Sequence, residues 1–187
     1  MTELMNIIKE RRSIRKYEDK EVPEDILQQV LESVRWSPSW AKTQCWEVIV
    51  VKDSATKEKL QESFGPRNPS TKAIVQAPVV LSVCGKVKHS GFKKGEVATK
   101  FEDWLMFDLG LATQNICLTA HNLGLGTVIV GLFDHNKAKA VLGVGKDYEL
   151  VVLIPLGYPA KVSPAPKRRE LSEFVHHETF DGSMSNI

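Results

Sequence analysis

Two kinds of apolar pattern alternate along the chain. Unbroken runs at Glu47–Val51, Pro78–Cys84, Thr127–Val130 and Glu149–Leu156 have the length and β-branched content of buried strands. Between them, apolar residues recur three or four positions apart. Leu4, Ile7 and Ile8 share one face of a short opening helix. Ile26, Leu27, Val30, Leu31 and Val34 share one face of a second helix, opened by Pro23-Glu24-Asp25 and closed before Ser37-Pro38. Ser54 is the expected cap of a short helix carrying Leu60, and Asp134 of one carrying Ala138, Val141 and Leu142. The longest pattern, Leu105, Leu109, Ala112, Ile116, Ala120 and Leu123, predicts a helix from Asp103 that ends at Gly124-Leu125-Gly126. Leu111, Cys117 and Leu118 make that helix apolar on several sides, so it is expected at the centre, covered nearly all round.

Three stretches lack such order. Phe64 to Thr71 is a loop rich in Gly, Pro and Asn. Gly85 to Lys100 carries Lys86, Lys88, His89, Lys93, Lys94 and Lys100 with little periodicity, and reads as a mobile basic loop or lid. The tail from Ala160 is proline-rich, then basic at Lys167-Arg168-Arg169, then weakly amphipathic to Phe174; it either lies on another surface or stays disordered. Helices interspersed with four apolar strands predict an α+β or α/β sandwich around one sheet, and 187 residues suit a single domain.

Charge and cysteines narrow the reading. A net charge of +2 is too small for a nucleic-acid or membrane surface, so basic clusters act locally. Cys45, Cys84 and Cys117 lie far apart without histidines at ligand spacing, which argues for free thiols in a reducing compartment and against structural zinc. With no apolar leader and only strand-length apolar runs, the chain reads as cytoplasmic. Gly124-Leu125-Gly126, Gly143-Val144-Gly145 and Gly145-Lys146 are fragments of nucleotide-binding motifs and read as helix ends; the five scattered histidines suggest no triad.

Chemistry concentrates in Lys9 to Tyr17, where Arg11, Arg12, Arg15 and Lys16 surround Ser13. Guanidinium forks beside a hydroxyl suit a phosphate monoester; a run of basic residues also suits a solvated face.

Five segments in register resemble the FMN-dependent nitroreductase family. They are Arg11-Arg12-Ser13-Ile14-Arg15, Ser37-Pro38-Ser39-Trp40 followed by Gln44 and Trp46, Leu123-Gly124-Leu125-Gly126-Thr127 leading into Gly131, Leu156-Gly157-Tyr158-Pro159, and Lys167-Arg168-Arg169. The resemblance spans nearly the whole chain. It implies an α+β fold, a central mostly antiparallel sheet flanked by helices, and an intertwined homodimer holding FMN in two clefts, with the 160–187 extension packed on the partner. By position, Arg11 and Ser13 would hold the phosphate with Arg12 nearby, and Arg15 would reach the pyrimidine edge of the flavin. Lys167 and Arg169 would close on the phosphate, with Arg168 able to replace either. Pro38, Ser39 and Trp40 match the loop that the partner lays against the flavin, where Trp40 would either pack on the ring or plug the dimer seam. Gly131 and Leu132 match the backbone that approaches N5 and O4.

Departures fall near the flavin. Lys42 stands where the family often has Asn and would add charge at the mouth; Cys45 stands where it often has Pro. The family's Asn ahead of the next strand corresponds to Asn68 or Gln76. Phe101, Trp104 and Phe107 are candidates for the roof of the acceptor pocket, with a helix-core role expected for at least two of them. NADH or NADPH would serve as donor and a small organic molecule as acceptor, in ping-pong order. A flavin-storage protein, a dehalogenase or oxidase of the same family, or a nucleic-acid binder using the arginines are the alternatives.

Overall fold

The computed structural model of the chain describes residues 2–180, and its sheet is organised about two long strands. β2 (Val79–Lys86) pairs antiparallel with β6 (Tyr148–Gly157); β1 (Trp46–Val51) lies on the free side of β2 and the two-residue β5 (Gly126–Thr127) on the free side of β6. The sheet order is therefore β1-β2-β6-β5, antiparallel throughout, as the α+β expectation required.

Alternation along β2 sends side chains to two cores. Val79, Leu81 and Val83, with Ile154 and Leu156 of β6, pack under α2 (Glu24–Arg35) and α5 (Leu105–Asn122) through Leu27, Val30, Val34, Leu109, Ala112 and Ile116. Val80 and Cys84, with Leu150 and Leu153, face α3 (Ser54–Gln61), α4 (Thr71–Gln76) and α6 (His135–Leu142) through Leu60, Ile74 and Ala138. Both faces are buried, which is why these strands read as continuous apolar runs. Leu150 and Leu153 share a face although three apart because the β2–β6 register shifts at Val83/Cys84, where a bulge absorbs one residue.

Several boundaries differ from the sequence expectation. The third strand stops at Thr127, and Val130 makes only an isolated bridge to Leu153. The edge beyond is taken by the N-terminal segment: Ser13 bridges Thr127 in parallel, and Ile14 N donates to Thr127 O at 2.8 Å. Asp53, not Ser54, caps α3, its Oδ2 accepting from Thr56 N at 2.7 Å. The central helix begins at Leu105, because Asp103 serves as an acceptor for both Leu105 N and Lys88 N. Nor is that helix covered all round, since Met106 and Phe107 are exposed. The basic loop contains a hairpin, β3 (Phe92–Lys93) with β4 (Glu96–Val97), and Gly91 before it sits at φ +88° against Glu102 O, where no side chain fits.

Two segments hold few buried residues. α1 (Glu3–Glu10) buries none, leaving Leu4, Met5 and Ile8 in solvent. After Ala160 N donates to Lys16 O, the tail runs almost wholly exposed to Phe180; the rest of the expected 160–187 extension lies outside the described residues. Among the described residues no helix is long and apolar enough to cross a membrane.

Candidate functional site

Between Arg11 and Tyr17 only Ile14 and Tyr17 are buried. Ile14 and Tyr17 turn inward, and the Tyr17 hydroxyl lies 2.7 Å from Ile14 O and 3.0 Å from Pro155 O. Burial holds that phenol well above its ordinary titration range. Ile14 packs so closely on β5 that a Cβ on Gly126 would come within 2.5 Å of its Cγ1. Ser13 and Arg15 are left facing out.

From Arg15 a chain of hydrogen bonds crosses to the opposite wall. Arg15 Nε donates to Ser70 Oγ at 3.3 Å, Ser70 N to Asn68 Oδ1 at 2.9 Å, and Asn68 Nδ2 to Leu132 O at 2.6 Å. Three separate stretches singled out in the sequence, at 15, 68 and 132, are thereby joined. Arg15, Lys16, Asn68 and Gln76 line a cleft of about 900 Å³, and a neighbouring cavity of about 640 Å³ reaches Phe64, Leu132 and Phe133. The two share Glu62, Pro66 and Asn68 as a common wall. Asn68 and Gln76 thus both reach the cleft, but only Asn68 is bonded into the Arg15–Leu132 chain.

Gly131 and Leu132 lie exposed at the far rim. A Cβ on Gly131 would meet only Val152, at 4.0 Å, so nothing within the chain demands glycine there. Among the described residues neither the Gly131 nor the Leu132 N–H has a backbone acceptor, while both carbonyls are held: Leu132 O by Asn68 and Gly131 O by His135 Nε2 at 3.1 Å.

Pro38, Ser39 and Lys42 line a different cavity, of about 390 Å³, together with Arg35, Trp36, Ser37 and Gln44; it shares no lining residue with the Arg15 cleft. Ala41, Lys42 and Gln44 all have positive φ, at 46°, 58° and 48°, a conformation costly for residues with side chains. The loop is held in this shape by α5. Asp108, fully buried, accepts from Trp40 N at 2.9 Å, Thr43 Oγ1 at 3.4 Å, Cys45 Sγ at 3.6 Å and Ser90 Oγ at 2.6 Å. Two turns further on, Asn115 Nδ2 donates to Ser33 O at 3.2 Å and Ser37 Oγ at 2.8 Å. Burial first, and then the neighbouring Asp108, push the Cys45 thiol up to about 12. Asp108 thereby ties the 38–45 loop, through Ser90, to the basic segment, and Ser90 O in turn accepts from Trp104 N at the start of α5.

The rest of the expected site is dispersed. Arg11 and Arg12 line a cavity of about 200 Å³ with His121, Gly124 and Val162, and Arg12 Nη1 donates to Lys9 O and Arg11 O. Lys167 and Arg169 are on the exposed tail, where Arg169 bonds Glu173 O and lies over the Phe174 ring. Phe101, Trp104 and Phe107 form an edge-to-face row. Phe101 and Phe107 are 69% and 58% exposed, so the helix-core role expected for two of the three does not hold. Sequence reasoning missed Ser70, Asp108, Asn115 and His135. An aspartate inside an otherwise apolar helical stretch was the available signal for Asp108; Ser70 and His135 gave none.

Fold and cleft define the class first: an α+β sheet covered by helices on both faces, with a basic, hydrogen-bonded cleft at one edge. Within that class the chain belongs to the nitroreductase family. The sequence profile described as Nitroreductase family matches residues 8–74 and 66–158. A Methanothermobacter thermautotrophicus protein provisionally named NADH dehydrogenase/NAD(P)H nitroreductase is 34% identical over 166 residues, covering 85% of this chain and 78% of its own. The FMN reductase [NAD(P)H] of Bacillus subtilis is 30% identical over 191 residues, covering 96% of this chain and 75% of its own. The crystal structure of a nitroreductase family protein from Clostridium difficile superposes with a TM-score of 0.81 at 25% identity, covering 96% of this chain and 99% of that one.

Proposed function

We propose that this chain is an FMN-dependent oxidoreductase that accepts hydride from NADH or NADPH and passes electrons to a small organic acceptor such as a nitroaromatic or a quinone. The observation that carries the reading is the hydrogen-bonded chain Arg15–Ser70–Asn68–Leu132, which joins a guanidinium on the cleft wall to the rim where, among the described residues, the Gly131 and Leu132 N–H groups have no backbone acceptor. That donor set fits a flavin mononucleotide. Its planar ring presents polar atoms along one edge, and its phosphate calls for charged forks and a hydroxyl.

Bound FMN would supply the hydride chemistry, and the protein contributes position and charge. Ser13 and Arg11 would hold the phosphate with Arg12 nearby, and Lys167 and Arg169 would have to reach it from the tail. Because Arg15 Nε is occupied by Ser70, its terminal nitrogens would be left to stabilise negative charge at the pyrimidine edge of a bound flavin. Gly131 and Leu132 would offer N–H groups to N5 and O4, and the missing side chain of Gly131 would permit close approach.

Pro38, Ser39, Trp40 and Lys42 lie on a cavity or loop apart from the Arg15 cleft, so one chain carries two half-sites. A homodimer in which each subunit's 38–45 loop completes the other's cleft joins them, and the exposed apolar residues of α1 and α5 provide surface for that contact. Donor and acceptor occupying one open face in turn gives ping-pong kinetics. Three buried free thiols suit a reducing compartment such as the cytoplasm.

The test is an absorbance spectrum of the purified protein followed by anaerobic addition of NADH and NADPH in separate cuvettes. A yellow protein that bleaches, with FMN affinity lowered at least tenfold in Arg15→Ala, is expected. A protein that binds FMN and never bleaches is a flavin store. One that neither binds FMN nor gains thermal stability from it overturns the reading.

A further inference from the structure

We infer that His135 is a positioning residue, whose doubly protonated ring holds the Gly131–Leu132 peptide so that the Leu132 N–H is presented to the cleft; the inference rests on the flavin reading above. His135 is the first residue of α6, which Asp134 caps by accepting from Lys137 N at 3.0 Å. Its ring stacks on Phe133 with centroids 4.1 Å apart, and Phe133 stacks on Phe64 at 5.8 Å. Packed this way, the ring directs both nitrogens at backbone oxygens: Nδ1 lies 2.8 Å from Leu150 O and Nε2 lies 3.1 Å from Gly131 O.

A carbonyl oxygen can only accept, and a neutral imidazole carries one N–H. Only the imidazolium can therefore satisfy both contacts at once. In either neutral tautomer one ring lone pair opposes a carbonyl lone pair, and the more easily displaced partner gives way. Leu150 is a buried residue of the long strand β6, 1% exposed, whereas Gly131 is an exposed residue on the rim. Loss of the proton releases Gly131.

The peptide plane carries that release to the cleft. The carbonyl of Gly131 and the N–H of Leu132 belong to one planar trans unit and point in opposite directions. Fixing the carbonyl against His135 aims the N–H the other way. The following carbonyl, Leu132 O, is fixed by Asn68 Nδ2 at 2.6 Å, so this N–H is held from both sides while the ring is charged.

The charged groups on the elements around the ring engage other partners. Asp134 caps α6, Lys137 pairs with Glu62, the residue after α3, at 3.3 Å, and Lys139 pairs with Glu149 of β6 at 3.0 Å. Among the described residues none of them hydrogen-bonds the imidazole.

The experiment follows the Leu132 amide and the His135 ring by NMR in the ¹⁵N-labelled chain across the range where imidazoles titrate, without and with FMN. In the unmodified chain the Leu132 amide is expected to shift with the same midpoint as the His135 ring; in His135→Gln it stays flat. In the FMN-loaded protein, anaerobic bleaching by the nicotinamide donor is expected to slow on the order of tenfold as His135 loses its proton. His135→Gln should run near the slower rate at every pH with its FMN content unchanged. An amide that ignores the His135 titration in a chain that binds FMN overturns the inference, as does a variant with the unmodified pH profile. A chain that binds no FMN sinks the flavin reading instead, and its amide titration still decides whether His135 governs the peptide.

Discussion

Cys45 and Asp108 meet in the interior, and each is intelligible only through the other. Burial and the adjacent carboxylate push the Cys45 thiol up to about 12, burial pushes that of Cys84 up to about 11, and burial raises that of Cys117. The thiolate is the reactive form, so all three should be inert while the chain is folded. At mildly alkaline pH, iodoacetamide is expected to label none of them in the native protein on the time scale that labels all three in denaturant. Rapid native labelling of Cys45 would show that Asp108 does not hold the loop closed. At this scale the sequence was informative only where chemistry is concentrated locally, as from Arg11 to Lys16. Asp108 was not legible because its donors come from 18 to 68 residues away, and His135 was not because its role lies in two backbone oxygens.

Among the elements, legibility followed periodicity. α2, α5, β1, β2 and β6 were readable because each buries a stripe or a full run against a neighbour, and packing enforces the pattern. The third strand was overextended because apolar content does not reveal hydrogen-bonding partners: Val128 and Val130 are buried, yet the N-terminal segment claims the ladder at Thr127. That junction is also where one substitution should have its widest effect. In Gly126→Ala the new methyl would lie 2.5 Å from Ile14 Cγ1, and relief requires residues 13 and 14 to lift from the sheet edge. A loss of roughly 1–3 kcal/mol is expected, the usual cost of overpacking. On the flavin reading, FMN affinity falls with it, because Ser13 and Arg15 move too. Denaturant midpoints and an FMN titration check both effects; an unchanged midpoint would mean that the edge is looser than the packing of Ile14 implies.

Across the whole molecule, positive charge collects where α5 ends. His121 is held below its ordinary value, first by burial and then by Arg11 and Arg12, with Glu10 opposing. A base whose folded value is lowered binds its proton more readily when unfolded. Its contribution to stability is therefore complete above the unfolded imidazole value of about 6.5 and is lost as pH falls through that value toward the folded one. The melting temperature of the unmodified chain should drop on acidification through this window, and His121→Gln should flatten that part of the profile. Parallel profiles for the two proteins would show that His121 does not contribute.

The 37–45 loop also has a lesson for protein engineering. Its left-handed residues are not glycines, and its conformation is enforced by Asp108 and Asn115 on α5, with Ser90 sharing the Asp108 carboxylate. The information that shapes it is therefore written elsewhere in the chain. Transplanting residues 37–45 into another scaffold would carry the letters without the instruction. A chimera should recover the loop's shape only when the helix that anchors it travels too.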